Sequence, residues 1–312
     1  MRPDAFLRAP ASDSSSPADP LGLVKLTALM KRASGIPEVK VGLIDGPVDT
    51  HHPALAREHL RELPGHGAAS CTRLDSVACM HGTFVAGILF AKRGSFAPAI
   101  CPNCTLLVRP IFAEPTSKGQ RVPNATAAEL AAAIAACIDA GARVINLSLG
   151  FAAVAMEGQP ALEETLSRAV ERGVLVVAAA GNQGTVGSSA ISRHPWVISV
   201  AACDRRGRPM KESNLGNSIG RRGVSAPGEG IASLGPRNQS MQLEGTSVAT
   251  PFVTGAIALL WSEFPSATAS QIRLAVVGQG TAPSRASVVP RLLDAAAAHR
   301  ALAGAGRRGP GA

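Results

Sequence analysis

Apolar residues along this chain fall into short continuous runs that alternate with longer stretches of helical spacing. Val39 to Ile44 is mostly apolar with β-branched residues, bounded by Pro37 before and Gly46-Pro47 after, and predicts a buried strand. Further strands are predicted over Thr105 to Phe112, Arg143 to Leu147, Val174 to Ala179 and Trp196 to Ala202. Between them, Ala127 to Ala140 and Leu162 to Arg172 carry helical periodicity and stop at Gly141 and Gly173. Thr126 and Glu129 form a capping box for the first of these helices. Runs without polar relief, such as Val174-Leu175-Val176-Val177, must be covered on both faces. Their alternation with helices predicts an α/β fold, with a mostly parallel central sheet and helices on both faces.

Towards the C-terminus, Ser213 to Gly245 is rich in Gly, Ser and Asn and reads as loops and short strands. A long apolar helix is expected over Ser247 to Phe264 and a shorter one over Thr268 to Val277. Residues 21–35 are expected to hold a lead-in helix (Leu21 to Arg32) and a linker, and residues 36–303 one domain. Residues 1–20 and 304–312 read as disordered tails.

Composition narrows the function classes. A chain of 312 residues with 46% apolar content can bury a sizeable core. The net charge of +9 raises nucleic-acid binding, but the cations are dispersed, Tyr is absent and aromatics make up 3%. We therefore expect no nucleic-acid partner. No apolar run reaches the roughly 18 residues that span a bilayer, so no membrane association is expected. Met1 to Pro20 lacks the apolar core of a secretory signal, which predicts a cytoplasmic protein. The sequence leaves the oligomeric state unknown.

Cys71, Cys79, Cys101, Cys104, Cys137 and Cys203 are read first as thiols in a reducing compartment. One or two local disulfides, or a four-thiolate zinc site from Cys71, Cys79, Cys101 and Cys104, are the alternatives. Cys137 lies on an apolar helix face and reads as a small core residue.

Four polar residues stand where chemistry is feasible, though each has a structural alternative. Asp45 ends a buried strand, at the sheet end where ligand sites gather, or else caps a loop amide. His81 opens a helix of small residues and suits a general base, or else packs. Ser247 stands where a loop enters an apolar helix, and an ordinary N-cap is the alternative. Pro251 lies close enough to that helix start to lose no hydrogen bond. Asn182 follows a tight Ala179-Ala180-Gly181 turn and can donate to an oxyanion, or simply make the turn.

Taken together and in order, these segments resemble the subtilisin-like serine protease family. The resemblance rests on Val41-Gly42-Leu43-Ile44-Asp45-Gly46, His81-Gly82-Thr83, Ala179-Ala180-Gly181-Asn182 and Gly245-Thr246-Ser247-Val248-Ala249-Thr250-Pro251. It extends to Val144 through Gly150 and to Ser225-Ala226-Pro227-Gly228, and covers about residues 36–303. It implies a subtilisin-like fold and a serine endopeptidase with Asp45, His81 and Ser247 as catalytic triad and Asn182 in the oxyanion hole. Ser148, Leu149 and Gly150 would pair with a peptide or protein substrate as an added strand, and Ala179, Ala180 and Gly181 would line a pocket wall. A catalytically silent peptide-binding domain is the alternative.

Several departures from the family bear on function. Gly46-Pro47 follows the Asp where Ser/Thr-Gly is usual, and this resembles the protease domains that mature cyanobactin-type ribosomal peptides. The family's calcium loop is replaced by Ala91-Lys92-Arg93-Gly94-Ser95-Phe96, two cations without a carboxylate. No cofactor or metal is expected at that loop, with calcium left open elsewhere. The pocket floor, Gly187 to Pro195, is altered, so specificity does not carry over. His194 there lacks a helix-start setting and is not expected to be catalytic.

Overall fold

In the first central strand, Val41 and Leu43 point into one hydrophobic cluster while Ile44 points into another. That alternation is what a strand buried on both faces requires. The computed structural model describes residues 19–65, 68–112, 114, 125–148, 159–278 and 287–306. In chain order the elements begin with α1 (Pro20–Leu23), α2 (Leu26–Arg32), β1 (Lys40–Asp45), β2 (Leu60–Glu62), α3 (Val77–Phe90) and β3 (Thr105–Pro110). There follow α4 (Ala127–Asp139), β4 (Val144–Leu147), α5 (Gln159–Glu171), β5 (Leu175–Ala179), α6 (Ala190–Arg193) and β6 (Ile198–Cys203). The last part holds α7 (Asn217–Arg222), β7 (Val224–Pro227), β8 (Ile231–Leu234), β9 (Ser240–Leu243), α8 (Thr246–Glu263), α9 (Ala269–Val277), β10 (Arg291–Leu292) and α10 (Ala295–Gly306).

Eight strands form one sheet in the order β10-β7-β6-β5-β4-β1-β3-β2, and every pairing in it is parallel. β8 and β9 make a separate antiparallel hairpin. Helices α3 and α8 share the first cluster on one face of the sheet, while α4 and α5 share the second on the other. This is the predicted α/β architecture. The order reverses at β1, which lies between β3 and β4, so its carboxyl end opens a crevice at a topological switch point. Asp45 is its last residue.

Some sequence expectations need correction. The lead-in helix is two helices, broken at Lys25 in the left-handed region (φ 59°). It is no detached lead-in, because Val24, Leu26 and Leu29 are buried in the first cluster. Helix α10 continues to Gly306, into the tail expected from 304. The expected tails at 1–18 and 307–312 lie outside the described residues.

The cysteines also differ from the first reading. Cys71 and Cys79 form a disulfide, whereas Cys101, Cys104, Cys137 and Cys203 are buried thiols. The four-thiolate zinc site does not assemble. Cys101 and Cys104 precede the amino end of β3, and the only metal-compatible cluster among the described residues is Cys71, Cys79 and Glu114. Cys137 sits in the second cluster, where burial pushes its thiol up to about 12.

Candidate active site

The site grows from one close approach of backbone. Gly46 and Pro47, just past β1, run under the first two turns of α3. A Cβ on Gly46 would meet the Ala78 carbonyl oxygen at 2.1 Å, and one on Gly82 would meet that of Pro47 at 2.4 Å. Only glycine permits this contact, which brings β1 and α3 together at Asp45 and His81. Nδ1 of His81 lies 2.7 Å from Oδ1 of Asp45, and the Gly46 amide donates to the same oxygen at 2.6 Å. With the carboxylate on Nδ1, the neutral ring carries its proton there, leaving Nε2 as acceptor. Nε2 lies 3.1 Å from the Ser247 hydroxyl oxygen.

His81 does not open its helix. Ser76 is the N-cap of α3, its hydroxyl accepting from the Cys79 amide, so His81 lies in the second turn. The field of the helix end is therefore not what governs the imidazole. Burial alone would lower its pKa, but the charge and hydrogen bond of Asp45 override that and hold it above the usual histidine value. Asp45 is itself 1% exposed, so little water screens the pair.

Ser247 is the second residue of α8, after an N-cap at Gly245 that supplies no side-chain hydrogen bond. At that position a backbone N–H has no partner within the helix. Pro251, however, is the sixth helical residue, beyond the turn where proline costs nothing. It withholds the amide that would otherwise answer the Ser247 carbonyl.

Asn182 is fixed from the same helix. Its Oδ1 accepts from the Thr246 amide and hydroxyl, both at 2.9 Å, and the Gly181 amide donates to that hydroxyl oxygen at 3.2 Å. Two donors on Oδ1 settle the amide's orientation and leave its NH2 facing away from Thr246. Thr246 begins a buried polar seam that sequence reading missed. Thr250 donates to the Thr246 carbonyl at 2.7 Å, and Thr254 donates to Oδ1 of Asn146 at 2.8 Å. The spacing of Thr246, Thr250 and Thr254 along one helix face was the available signal.

The expected substrate-contacting residues are placed unevenly. Ala180 closes the end of β5 with its amide on the Val200 carbonyl at 2.9 Å, and Ala179 is half-buried beside it. Ser148 is buried, its hydroxyl accepting from Asn146 Nδ2 at 2.7 Å, so its side chain faces inward. Leu149 and Gly150 lie outside the described residues. The altered floor contains α6, closed by a Ser189–Ser192 capping box. His194 caps that helix, with Nδ1 accepting from the Trp196 amide at 3.3 Å, and has no part in the cluster.

Two braces hold the segment before His81. The disulfide ties Cys71 to Cys79 in the first turn of α3, and the Cys71 amide donates to the Val48 carbonyl at 3.1 Å. Glu114 accepts from the Thr72 amide (2.7 Å) and hydroxyl, the Arg73 amide (3.1 Å) and the Ser76 hydroxyl (2.7 Å). Burial would raise its pKa, yet these bonds to the charged form hold it below the usual carboxylate value.

The side chains of the loop Ala91 to Phe96, where no metal is expected, do not suit a divalent cation. The Arg93 guanidinium donates to the carbonyls of Met30, Ala33 (2.9 Å) and Ile100 (3.1 Å), and Lys92 Nζ to that of Pro53 (2.9 Å). These carbonyl oxygens, the hard donors of the loop's surroundings, already accept from fixed cations.

The chain is similar to known proteins along most of its length. The subtilase family matches residues 37–291. Subtilisin DY of Bacillus licheniformis is 32% identical over 261 residues, 81% of this chain and 88% of its own length. Several other curated subtilisins are longer, and the chain spans 62% of their length. Among solved structures, the protease domain of PatA matches with a TM-score of 0.77 at 31% identity, covering 88% of this chain and 99% of that one. The prenylagaramide maturation protease PagA matches with a TM-score of 0.75 at 30% identity, covering 89% and 98%.

Proposed function

The chain belongs to the subtilase family of serine endopeptidases, and we propose that it hydrolyses peptide bonds with Asp45, His81 and Ser247 as its triad. What carries this reading is the unbroken hydrogen-bonded series from buried Asp45 through His81 to Ser247. The 3.1 Å from Nε2 to the hydroxyl oxygen is within general-base reach. His81 takes the proton as Ser247 Oγ bonds to the peptide carbonyl carbon, and Asp45 steadies the imidazolium. The oxyanion is met by Asn182 Nδ2 and the Ser247 amide. Collapse of the adduct expels the amine, which receives the proton from His81, and water then releases the acyl group by the same steps. Ser148, Leu149 and Gly150 hold the substrate backbone, and Ala179, Ala180 and Gly181 wall its pocket.

The substrate class is peptide processing, specifically maturation of a ribosomally made precursor. The likeness to a prenylagaramide maturation protease supports it, as does Gly46-Pro47 after the Asp. Incubation with a leader-bearing precursor and with unfolded casein tests both levels. One cut in the precursor is expected, lost in a folded Ser247→Ala variant. Cleavage of casein alone would overturn the processing role, and cleavage of neither would overturn the peptidase.

No helix among the described residues is long and apolar enough to cross a membrane. A cytoplasmic site of action is part of the proposal, and it has a consequence for the cysteines. Thiol reductants there would keep Cys71 and Cys79 open. Alkylation in rapidly quenched cells should find both thiols free, and a closed pair would contradict that location.

A further inference from the structure

The turn that carries Asn182 is fastened at several points by one residue, Asn214, which lies before α7. Its Nδ2 donates to the Ala180 carbonyl at 3.2 Å and to Gln183 Oε1 at 2.6 Å. Its Oδ1 accepts from the Gln183 amide at 3.0 Å, and from the Thr185 amide and hydroxyl, both at 3.1 Å. Its own amide donates to the Gly181 carbonyl at 2.8 Å. Residues 180, 181, 183 and 185 are thus all fastened to one residue, and Asn182 is the position enclosed by them.

The other ties on the turn are single bonds, from the Ala180 amide to the Val200 carbonyl (2.9 Å), the Gly181 amide to the Thr246 hydroxyl (3.2 Å), the Gly184 amide to the Glu212 carbonyl (2.8 Å) and the Leu215 amide to the Thr185 carbonyl (3.0 Å). Gly181 sits at φ +106°, and a Cβ there would come 2.5 Å from Asn214 Nδ2, so the two are in direct contact. Thr246 fixes the carbonyl end of the Asn182 amide and holds the Gly181 amide before it, whereas the Gln183 and Thr185 amides after it are held by Asn214. An oxyanion donor works only when held in place before the charge develops, because moving it during reaction spends the energy it should contribute. We propose that Asn214 is the positioning residue of the oxyanion hole, acting on turnover through Asn182 and making no contact with substrate. This rests on the peptidase reading above.

The two residues are separable by a double-mutant cycle on a fluorogenic peptide amide, with thermal unfolding as the check on folding. Asn182→Ala is expected to lower kcat by about 100- to 1,000-fold. Asn214→Ala is expected to lower kcat about tenfold with KM changed less than about twofold, since misplacement by a fraction of an ångström is costly to a reacting geometry. In the Asn182→Ala background the same change should have no further effect, because the group it positions is gone. Asn214→Asp keeps the accepting oxygen but loses both donors, so it should show the same kcat loss and serves if truncation unfolds the chain. Multiplying losses in the double variant, or an unchanged kcat in folded Asn214→Ala and Asn214→Asp, would overturn the proposal. An unchanged kcat in Asn182→Ala would instead overturn the role of Asn182 itself.

Discussion

Gly82 lies so close to Pro47 that a Cβ on the glycine would come within 2.4 Å of the proline carbonyl oxygen. The contact sets the separation of β1 and α3, and hence the 2.7 Å between Asp45 and His81. Gly82→Ala should push the two elements apart. An expected consequence is a loss of about 10- to 100-fold in kcat/KM, because backbone cannot yield as a flexible side chain would. Peptide-amide kinetics beside a melting curve would check it, and wild-type kcat/KM in the variant would refute it.

The raised pKa of His81 gives a pH dependence of known sign. Catalysis needs the neutral ring, so kcat/KM should rise with pH through a midpoint above the ordinary histidine value of 6.5. Stability runs the other way. The pairing favours the charged form in the fold, so its contribution is full below pH 6.5 and fades as pH rises through the folded value. Asp45→Asn leaves burial without its counterweight, which should move the midpoint down while kcat falls by about 10,000-fold. A midpoint unmoved by that substitution would show that Asp45 does not set it.

Much of this arrangement was legible because its signals are local. Val39 to Ile44, mostly apolar between Pro37 and Gly46-Pro47, and the wholly apolar Val174 to Ala179 carry their strands locally, and Thr126 and Glu129 do form the predicted capping box. The residues of the cluster were found by motif, since Asp45, His81, Asn182 and Ser247 each stand at an element's end or near its start. The unread parts are non-local. Asn214 bonds to residues 29 to 34 positions away, and Thr254 to Asn146 at a distance of 108. β2 is a three-residue edge strand, Leu60-Arg61-Glu62, with two exposed charges and no periodicity to detect. The disulfide depends on how the loop before α3 folds back, which spacing cannot supply.

In the oxidised protein, closing the segment between Cys71 and Cys79, 8 positions apart, restricts the unfolded chain and should stabilise the fold by about 2–3 kcal/mol. The double change Cys71→Ser, Cys79→Ser should lower the denaturant midpoint accordingly. Glu114 still holds Thr72, Arg73 and Ser76 in that variant, so turnover should survive. Adding Glu114→Gln removes the charged acceptor and should reduce kcat as well. Unchanged kcat in the triple variant would show that neither brace serves His81.

Arg93 occupies carbonyls of Met30, Ala33 and Ile100, which leads us to propose that this loop needs no calcium. Chelation with EDTA is expected to leave Tm unchanged, whereas Arg93→Ala should lower it by leaving buried carbonyls without donors. Calcium found against the carbonyls of Met30, Ala33 or Ile100 in crystals grown with it would contradict this.

The central claim is that Ser247 is a nucleophile activated by His81, whose ring nitrogen lies 3.1 Å from its hydroxyl oxygen. A fluorophosphonate probe followed by peptide mapping tests it directly. Labelling of the wild-type protein, one probe per chain on Ser247, absent in Ser247→Ala and slowed at least about 100-fold in His81→Ala, is the expected result. Folded wild-type protein that takes up no probe, or carries it on another residue, would contradict the account.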